Sequence, residues 1–192
     1  MDLGIAGRVA LVTAASKGLG RASAVALAKE GAKVVICARG AEALAEAEAE
    51  LAASTEVLAV PADVTDPAVP ARLVAAAVER FGRLDIVVAN AGGPPAGRAL
   101  DVDDEQLEAA LNANLLTSVR LVREAVPHLR REGWGRICLI TSSSIKQPIP
   151  TLALSNAART GLWAWAKTAA GDLFPTASPS TWPAPGPTPP IA

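Results

Sequence analysis

Val12-Thr13-Ala14-Ala15-Ser16-Lys17-Gly18-Leu19-Gly20 is a run of small residues between a short apolar segment, Val9–Thr13, and an amphipathic one, Leu19–Glu30. The order strand, small-residue turn, helix decides how the rest of the chain is read. Small side chains let the backbone approach a pyrophosphate closely. The start of a helix offers it unpaired N–H groups and a partial positive charge. A tight turn with no ligand would use similar residues, but the place of this one, between a first strand and a first helix, favours dinucleotide binding.

Outward from this turn, short apolar runs alternate with amphipathic stretches. Val9–Thr13, Lys33–Ala38, Glu56–Val60, Asp85–Ala89 and Arg136–Ser142 read as strands, short and rich in β-branched residues, as in a parallel sheet covered on both faces. Leu19–Glu30, Ala41–Ala53, Ala68–Phe81, Asp103–Arg131 and Leu152–Phe174 read as helices. Gly31 and Gly82 close the first and third. Asp103 and Asp104 start the long fourth helix and Arg130 and Arg131 end it, which suits its dipole. Pro127 is expected to kink or shorten it. Such alternation predicts a doubly wound α/β fold whose ligands bind at the carboxyl ends of the strands, where strand order reverses.

The 192 residues suffice for one ordinary domain, placed at 1–174. A formal charge of −1 offers no electrostatic reason for nucleic acid or an anionic membrane as partner. No apolar run approaches the roughly 20 residues needed to span a bilayer. The start, Met1-Asp2-Leu3-Gly4, lacks the basic-then-apolar pattern of a signal peptide, so a cytoplasmic protein is expected. No metal site is expected. Cys37 and Cys138 each fall in a predicted buried strand, three strand positions apart. At about 14 Å they are beyond disulfide reach and are expected to be inert core thiols. Tyrosine is absent from the chain.

The turn resembles the TGxxxGxG turn of the short-chain dehydrogenase/reductase family, with Thr13, Gly18 and Gly20 matching and Ala14 in place of the first glycine. Ala14 is expected at negative φ, where its methyl is tolerated. Asp63-Val64 resembles the pair that contacts the adenine, and Asn90-Ala91-Gly92 resembles the motif supporting sheet and cofactor. Asn114-Leu115 resembles the active-site asparagine, and Gly135-Arg136-Ile137 through Thr141-Ser142 resembles the strand that carries the catalytic serine. Competing structural readings exist. Asp63 would cap a turn ahead of Pro67, Asn90 would be a turn residue, and Ser142, Ser143 and Ser144 would be interchangeable loop serines. The resemblance implies a Rossmann-type fold and oxidoreductase chemistry on a small carbonyl or alcohol, similar to the oxoacyl-carrier-protein reductases. Ser16, Lys17, Gly18, Leu19 and Gly20 are then expected to cradle the cofactor. It also implies that the long fourth and fifth helices pair across a homo-oligomer interface.

The nucleotide is read from the end of the second strand, Cys37-Ala38-Arg39-Gly40. A carboxylate there would accept from the ribose hydroxyls of NAD; none is present. Arg39 can clamp a 2′-phosphate, and Lys17 adds a second charge, so NADP(H) is expected. As solvated surface charges, the two would carry no such meaning.

In the family a tyrosine works as general acid or base, a lysine four residues later lowers its pKa, and a serine 13 residues earlier polarises the substrate oxygen. Counting from Ser142, the tyrosine position is Ser155 and the lysine position is Arg159. A phenol, with a pKa of about 10, can be tuned toward neutrality by a neighbouring cation, whereas an aliphatic hydroxyl is a far weaker acid. Arg159 stays charged and can still hydrogen-bond ribose hydroxyls. Catalysis by Ser142, Asn114, Ser155 and Arg159 is therefore expected to be impaired. A non-catalytic dinucleotide-binding module and an inactive product of an interrupted gene are the alternatives. His128 is expected far from the site, Lys146 is a minor candidate to enter it, and Trp163 and Trp165 are expected to serve packing or a dimer face.

Residues 175–192 hold seven prolines in 18 positions and read as a disordered tail. The family would continue with further strands, so the sheet is expected to lack its last two. A reading-frame shift would explain the change. One GC-rich back-translation, moved by one base, reads His-Gly-Ile-Thr-Val-Asn-Val and then a Gly-Pro-Gly-containing stretch. DNA sequencing across codons 174–192 tests this. Loss of a neighbour for the fifth strand predicts marginal stability and aggregation.

Overall fold

Residues 3–173 are described in the computed structural model. Strands β1 Val9–Thr13, β2 Lys33–Ala38, β3 Val57–Pro61, β4 Ile86–Ala89 and β5 Arg136–Leu139 form one parallel sheet in the order β3-β2-β1-β4-β5. The helices are α1 Gly18–Lys29, α2 Ala41–Ala52, α3 Val69–Phe81, α4 Asp104–Leu111, α5 Thr117–Arg131 and α6 Ala153–Leu173. This is the expected doubly wound, Rossmann-type α/β fold. The sheet grows from β1 through β2 to β3, then resumes on the other side with β4 and β5. That reversal opens a crevice between the carboxyl ends of β1 and β4. The expectations for the Pro-rich run 175–192 lie outside the described residues.

The two-residue period of the strands sorts the core into two layers. Ala10 and Val12 of β1, with Val34 and Ile36 of β2, face Ala24 and Ala28 of α1 and Leu44, Ala47 and Leu51 of α2. Val9 and Leu11, with Val35 and Cys37, face Leu73, Val74 and Ala77 of α3 and Leu121, Ala125 and Leu129 of α5. All five residues of β1 are buried, because it has a strand on each side and a helix on each face.

β5 is different. Among the described residues it pairs only with β4, and it stops at Leu139, three residues earlier than expected, where Ile140 N–H donates the last bond to the Ala89 carbonyl (3.0 Å). Ile137 and Leu139 pack on the α3–α5 layer, while Arg136 and Cys138 are exposed on the opposite face. The expectation of a buried Cys138 is thus corrected, since that face of the edge strand is open. Cys37 is buried as expected, its thiol raised to about 11 by burial, and both cysteines are free.

The long fourth helix is interrupted, but not at Pro127, which lies within α5 with a further turn after it. The break is a π-helical turn, Asn112–Leu116, between α4 and α5. Asp103 is the N-cap, accepting from Gln106 N–H (2.8 Å) while Gln106 Oε1 accepts from Asp103 N–H (3.2 Å).

At the opposite end of the sheet from the crevice, fully buried Asp85 accepts from Arg83 Nη2 (2.6 Å) and Nε (2.7 Å), Val9 N–H (2.9 Å) and Arg8 Nη1 (3.0 Å). Burial pushes its carboxyl upward, but these hydrogen bonds together outweigh that and hold it below the ordinary carboxylate value.

Candidate functional site

A cleft of about 950 Å³ opens at the carboxyl ends of the strands. Its first wall is the turn after β1. Ser16, Lys17, Gly18 and Leu19 line it, with Lys17 as the N-cap of α1. Gly18 has φ +60° and leads into the helix. Gly20 does not line the cleft. A Cβ there would stand 2.4 Å from the Ala14 carbonyl oxygen and 2.9 Å from Asn90 Nδ2, so glycine is needed for helix, turn and β4 to pack. Ala14 lines the cleft at φ +49°, the one non-glycine residue at positive φ among the described residues. The expected negative φ is therefore corrected. The turn keeps the conformation that a glycine would hold freely, and the alanine methyl strains it.

Thr13 also lies beneath the surface. Its Oγ1 donates to the Asn90 carbonyl (2.8 Å) and accepts from Asn90 N–H (2.9 Å), locking the end of β1 to the end of β4. Asn90 Nδ2 reaches the Ala14 carbonyl at 3.4 Å. Asn90, Ala91 and Gly92 line the cleft beyond this lock. Asn90 is thus both a structural brace and part of the wall, so the two readings of it are compatible.

At the outer end stand Arg39, Asp63 and Val64. Asp63 Oδ1 accepts from Thr65 N–H (3.0 Å) and Oγ1 (2.8 Å). The backbone bond from Thr65 is the main reason its carboxyl lies below the ordinary value. It therefore caps the turn after β3 while presenting a face to the cleft. Arg39 Nη1 is 3.9 Å from Asp63 Oδ2, and its side chain is 79% exposed. At that exposure the pair is weak and Arg39 is available to a ligand.

The inner end gathers Asn114, Ser142, Ser155 and Arg159, all lining the cleft although far apart in sequence. The π-helical turn turns Asn114 inward, 3% exposed, and neither Oδ1 nor Nδ2 has a hydrogen-bond partner. Asn112, two residues earlier, braces that turn: its Nδ2 donates to the Thr65 carbonyl (3.1 Å) and its Oδ1 accepts from Arg120 Nη1 (2.7 Å). This support was not foreseen; the repeated asparagine in Asn112-Ala113-Asn114 was its only sequence signal.

The three loop serines have different environments. Ser143 is exposed. Ser144 is fully buried, and its N–H (3.1 Å) and Oγ (2.9 Å) both donate to Ser142 Oγ. Ser142 lines the cleft, so it alone of the three is a site residue, oriented by Ser144, which sequence reasoning missed. Ser155 on α6 is 8% exposed, and no hydrogen bond joins it to Ser142, Asn114 or Arg159. Arg159, one helical turn on, donates through Nη1 to the carbonyls of Ile140 (3.1 Å) and Thr141 (2.9 Å), tying α6 to the end of β5. Burial lowers its pKa from the ordinary value. Its guanidinium remains a cation at working pH.

Lys146 is exposed and outside the cleft, as is half-buried His128 on α5. Trp163 is exposed with Lys167 Nζ 6.0 Å from its ring centre, and neither it nor Trp165 lines the cleft. Among the described residues, no group of three His, Cys, Asp or Glu could hold a metal ion, and no helix is long and apolar enough to cross a membrane.

Residues 8–187 match the family model described as short chain dehydrogenase. Versicolorin reductase 1 of Aspergillus parasiticus is 43% identical over 140 residues, covering 72% of this chain and 53% of its own. An uncharacterized NAD-dependent oxidoreductase of Mycobacterium tuberculosis is 43% identical over 152 residues, covering 72% of this chain and 55% of its own. The chain thus spans about half the length of these curated relatives. Among solved structures, L-sorbose reductase from Gluconobacter frateurii, complexed with NADPH and L-sorbose, superposes with a TM-score of 0.87 at 34% identity, covering 90% of this chain and 66% of that one.

Proposed function

The chain belongs to the short-chain dehydrogenase family, and on that premise we propose an NADP(H)-linked oxidoreductase acting on a carbonyl or alcohol substrate, with proton transfer impaired. The observation that carries the nucleotide preference is the available Arg39 at the end of β2, with no carboxylate on that strand end and Lys17 across the cleft. The residues present suit a dinucleotide. The cleft lies at the top of the usual range of cofactor sites, about 300–1,000 Å³, and Gly18 and Leu19, in the first turn of α1 where amides have no intrahelical acceptor, line it. When bound, the nicotinamide would supply or accept a hydride. Ser142 would hold the substrate oxygen and Asn114 would organise the inner wall. Ser155 offers a hydroxyl too weakly acidic to replace a phenol at neutral pH.

A non-catalytic dinucleotide-binding module is favoured by one further observation. Arg159 commits Nη1 to two backbone carbonyls, and among the described residues no hydrogen bond joins Ser155 to an acidic or basic side chain. The reading as a product of an interrupted gene rests on the Pro-rich run alone. We also propose a cytoplasmic protein and a homo-oligomer pairing through α4–α5 and α6.

Calorimetric titration with NADPH and NADH tests the nucleotide assignment, since none of the described tryptophans lines the cleft to report binding by fluorescence. NADPH is expected to bind about tenfold or more tightly than NADH, and Arg39→Asp to reverse the order. No affinity for either, or a wild-type preference for NADH, would overturn the reading. Hydride transfer to a panel of ketones then separates enzyme from binding module.

A further inference from the structure

Arg159 is a half-buried cation lining the cleft, and among the described residues no carboxylate lies within ion-pair distance of it. Among the described residues, four charged side chains line the cleft: Lys17, Arg39, Asp63 and Arg159. The single acid among them, Asp63, sits at the outer end beside Arg39. A guanidinium has five N–H donors in a planar fork. Nη1 is used by Ile140 and Thr141, and among the described residues no hydrogen bond engages Nε or Nη2.

Asn114 supplies the second, independent observation. Its amide is 97% buried in the same wall, with both polar atoms unpartnered. An unpaired buried amide is costly, and native structures seldom keep one unless something else completes it. Ser155 and Ser142 add two hydroxyls to the same end of the cleft. The set consists of one positive charge without an acid beside it, an amide with both a free donor and a free acceptor, and two hydroxyls. The guanidinium, the hydroxyls and the amide N–H groups together suit a small planar group with negative charge and several acceptor lone pairs.

We propose that the inner end of the cleft, formed by Arg159, Asn114, Ser155 and Ser142, is a receptor for the carboxylate of a small organic acid. The inference deepens the proposed function, because it rests on reading this cleft as the substrate site and names the class of ligand it takes. The fork of an arginine matches a carboxylate in a way a lysine ammonium does not. The small side chain of Ser155 leaves room beside it for the anion. The site is therefore an anion receptor in place of a proton relay.

Calorimetric titration of the full chain with pyruvate tests this, with 2,3-butanedione as the uncharged analogue and inorganic phosphate as the competing anion, each in the absence and presence of NADPH. Pyruvate is expected to bind and butanedione to bind at least tenfold more weakly. Arg159→Gln is expected to weaken pyruvate by about tenfold to a hundredfold even without NADPH, where no ribose is present to account for the effect. Asn114→Asp places a negative charge in the wall without changing its shape and is expected to weaken pyruvate to a similar degree; it keeps the test decisive if Arg159→Gln fails to fold. Equal affinity for pyruvate and butanedione, tighter phosphate than pyruvate, or unchanged pyruvate affinity in both variants would overturn the inference. If NADPH binds and pyruvate does not, the receptor is refuted and the dinucleotide reading stands. If pyruvate binds through Arg159 and neither dinucleotide does, the reverse holds.

Discussion

The carboxyl ends of β1 and β5 both deliver residues to the cleft, from opposite situations. β1 lies between β2 and β4 with helices on both faces, and its last residue, Thr13, is locked to Asn90 by two hydrogen bonds. Among the described residues β5 has one neighbour and an open face carrying Arg136 and Cys138, and its end is held by the side chain of Arg159 from α6. The first region uses backbone packing so tight that a single Cβ at Gly20 would collide with it. The second uses side chains, and two of them, Ser155 and Arg159, depart from the family pattern, as Ala14 does in the first. A wall made of backbone tolerates few changes and keeps its form. A corner made of side chains can be re-equipped while the fold stays the same.

The largest expected effect tests the second region. Ser155→Tyr with Arg159→Lys restores the phenol and its cationic neighbour, and ketone reduction with NADPH is expected to rise by about 10²-fold or more. No gain with NADPH binding intact would place the deficit outside the two positions. In the first region, Gly20→Val drives a side chain against the Ala14 carbonyl. NADPH affinity is expected to fall by at least about tenfold, with a destabilisation of about 2 kcal/mol; a variant that binds normally would show that the turn is looser than its contacts imply.

At the far end of β4, Asp85→Asn leaves the Arg8 and Arg83 bonds without their charge. A loss of about 2 kcal/mol in urea unfolding is expected. The same carboxyl sets a pH dependence. Its folded pKa is depressed, so its contribution is complete above the unfolded value of about 3.9 and is lost as pH falls through the lower folded value. The variant should therefore lose part of the wild-type acid sensitivity below about pH 4, and identical acid profiles would remove Asp85 from the account. The smallest effect is at Ala14. Glycine there relieves the strained φ but frees the unfolded chain, for a net gain of about 0.5 kcal/mol. Destabilisation by that change would mean the methyl makes contacts that offset the strain.

Much of this was legible in advance. The period of the apolar runs placed all five strands, with β1 and β2 at the expected bounds, because buried parallel strands leave a local signature. Where elements met others, local signals failed. The break at Asn112–Leu116 has no proline or glycine to mark it, and Pro127 draws attention to a place where the helix continues. Cys138 has the same apolar neighbours in sequence as a core residue, yet stands exposed because exposure at an edge strand depends on what lies beside it.

The sequence by itself determined the strand–turn–helix beginning, the alternation that gives a doubly wound sheet and the absence of tyrosine, since these depend on composition and local pattern. Only the tertiary structure decided that Thr13 and Gly20 lie under the cleft, that Ser144 orients Ser142, and that Arg159 and the unpartnered Asn114 share one wall. Hydrogen-bond satisfaction and charge compensation are sums over neighbours from distant parts of the chain, and no local stretch contains them.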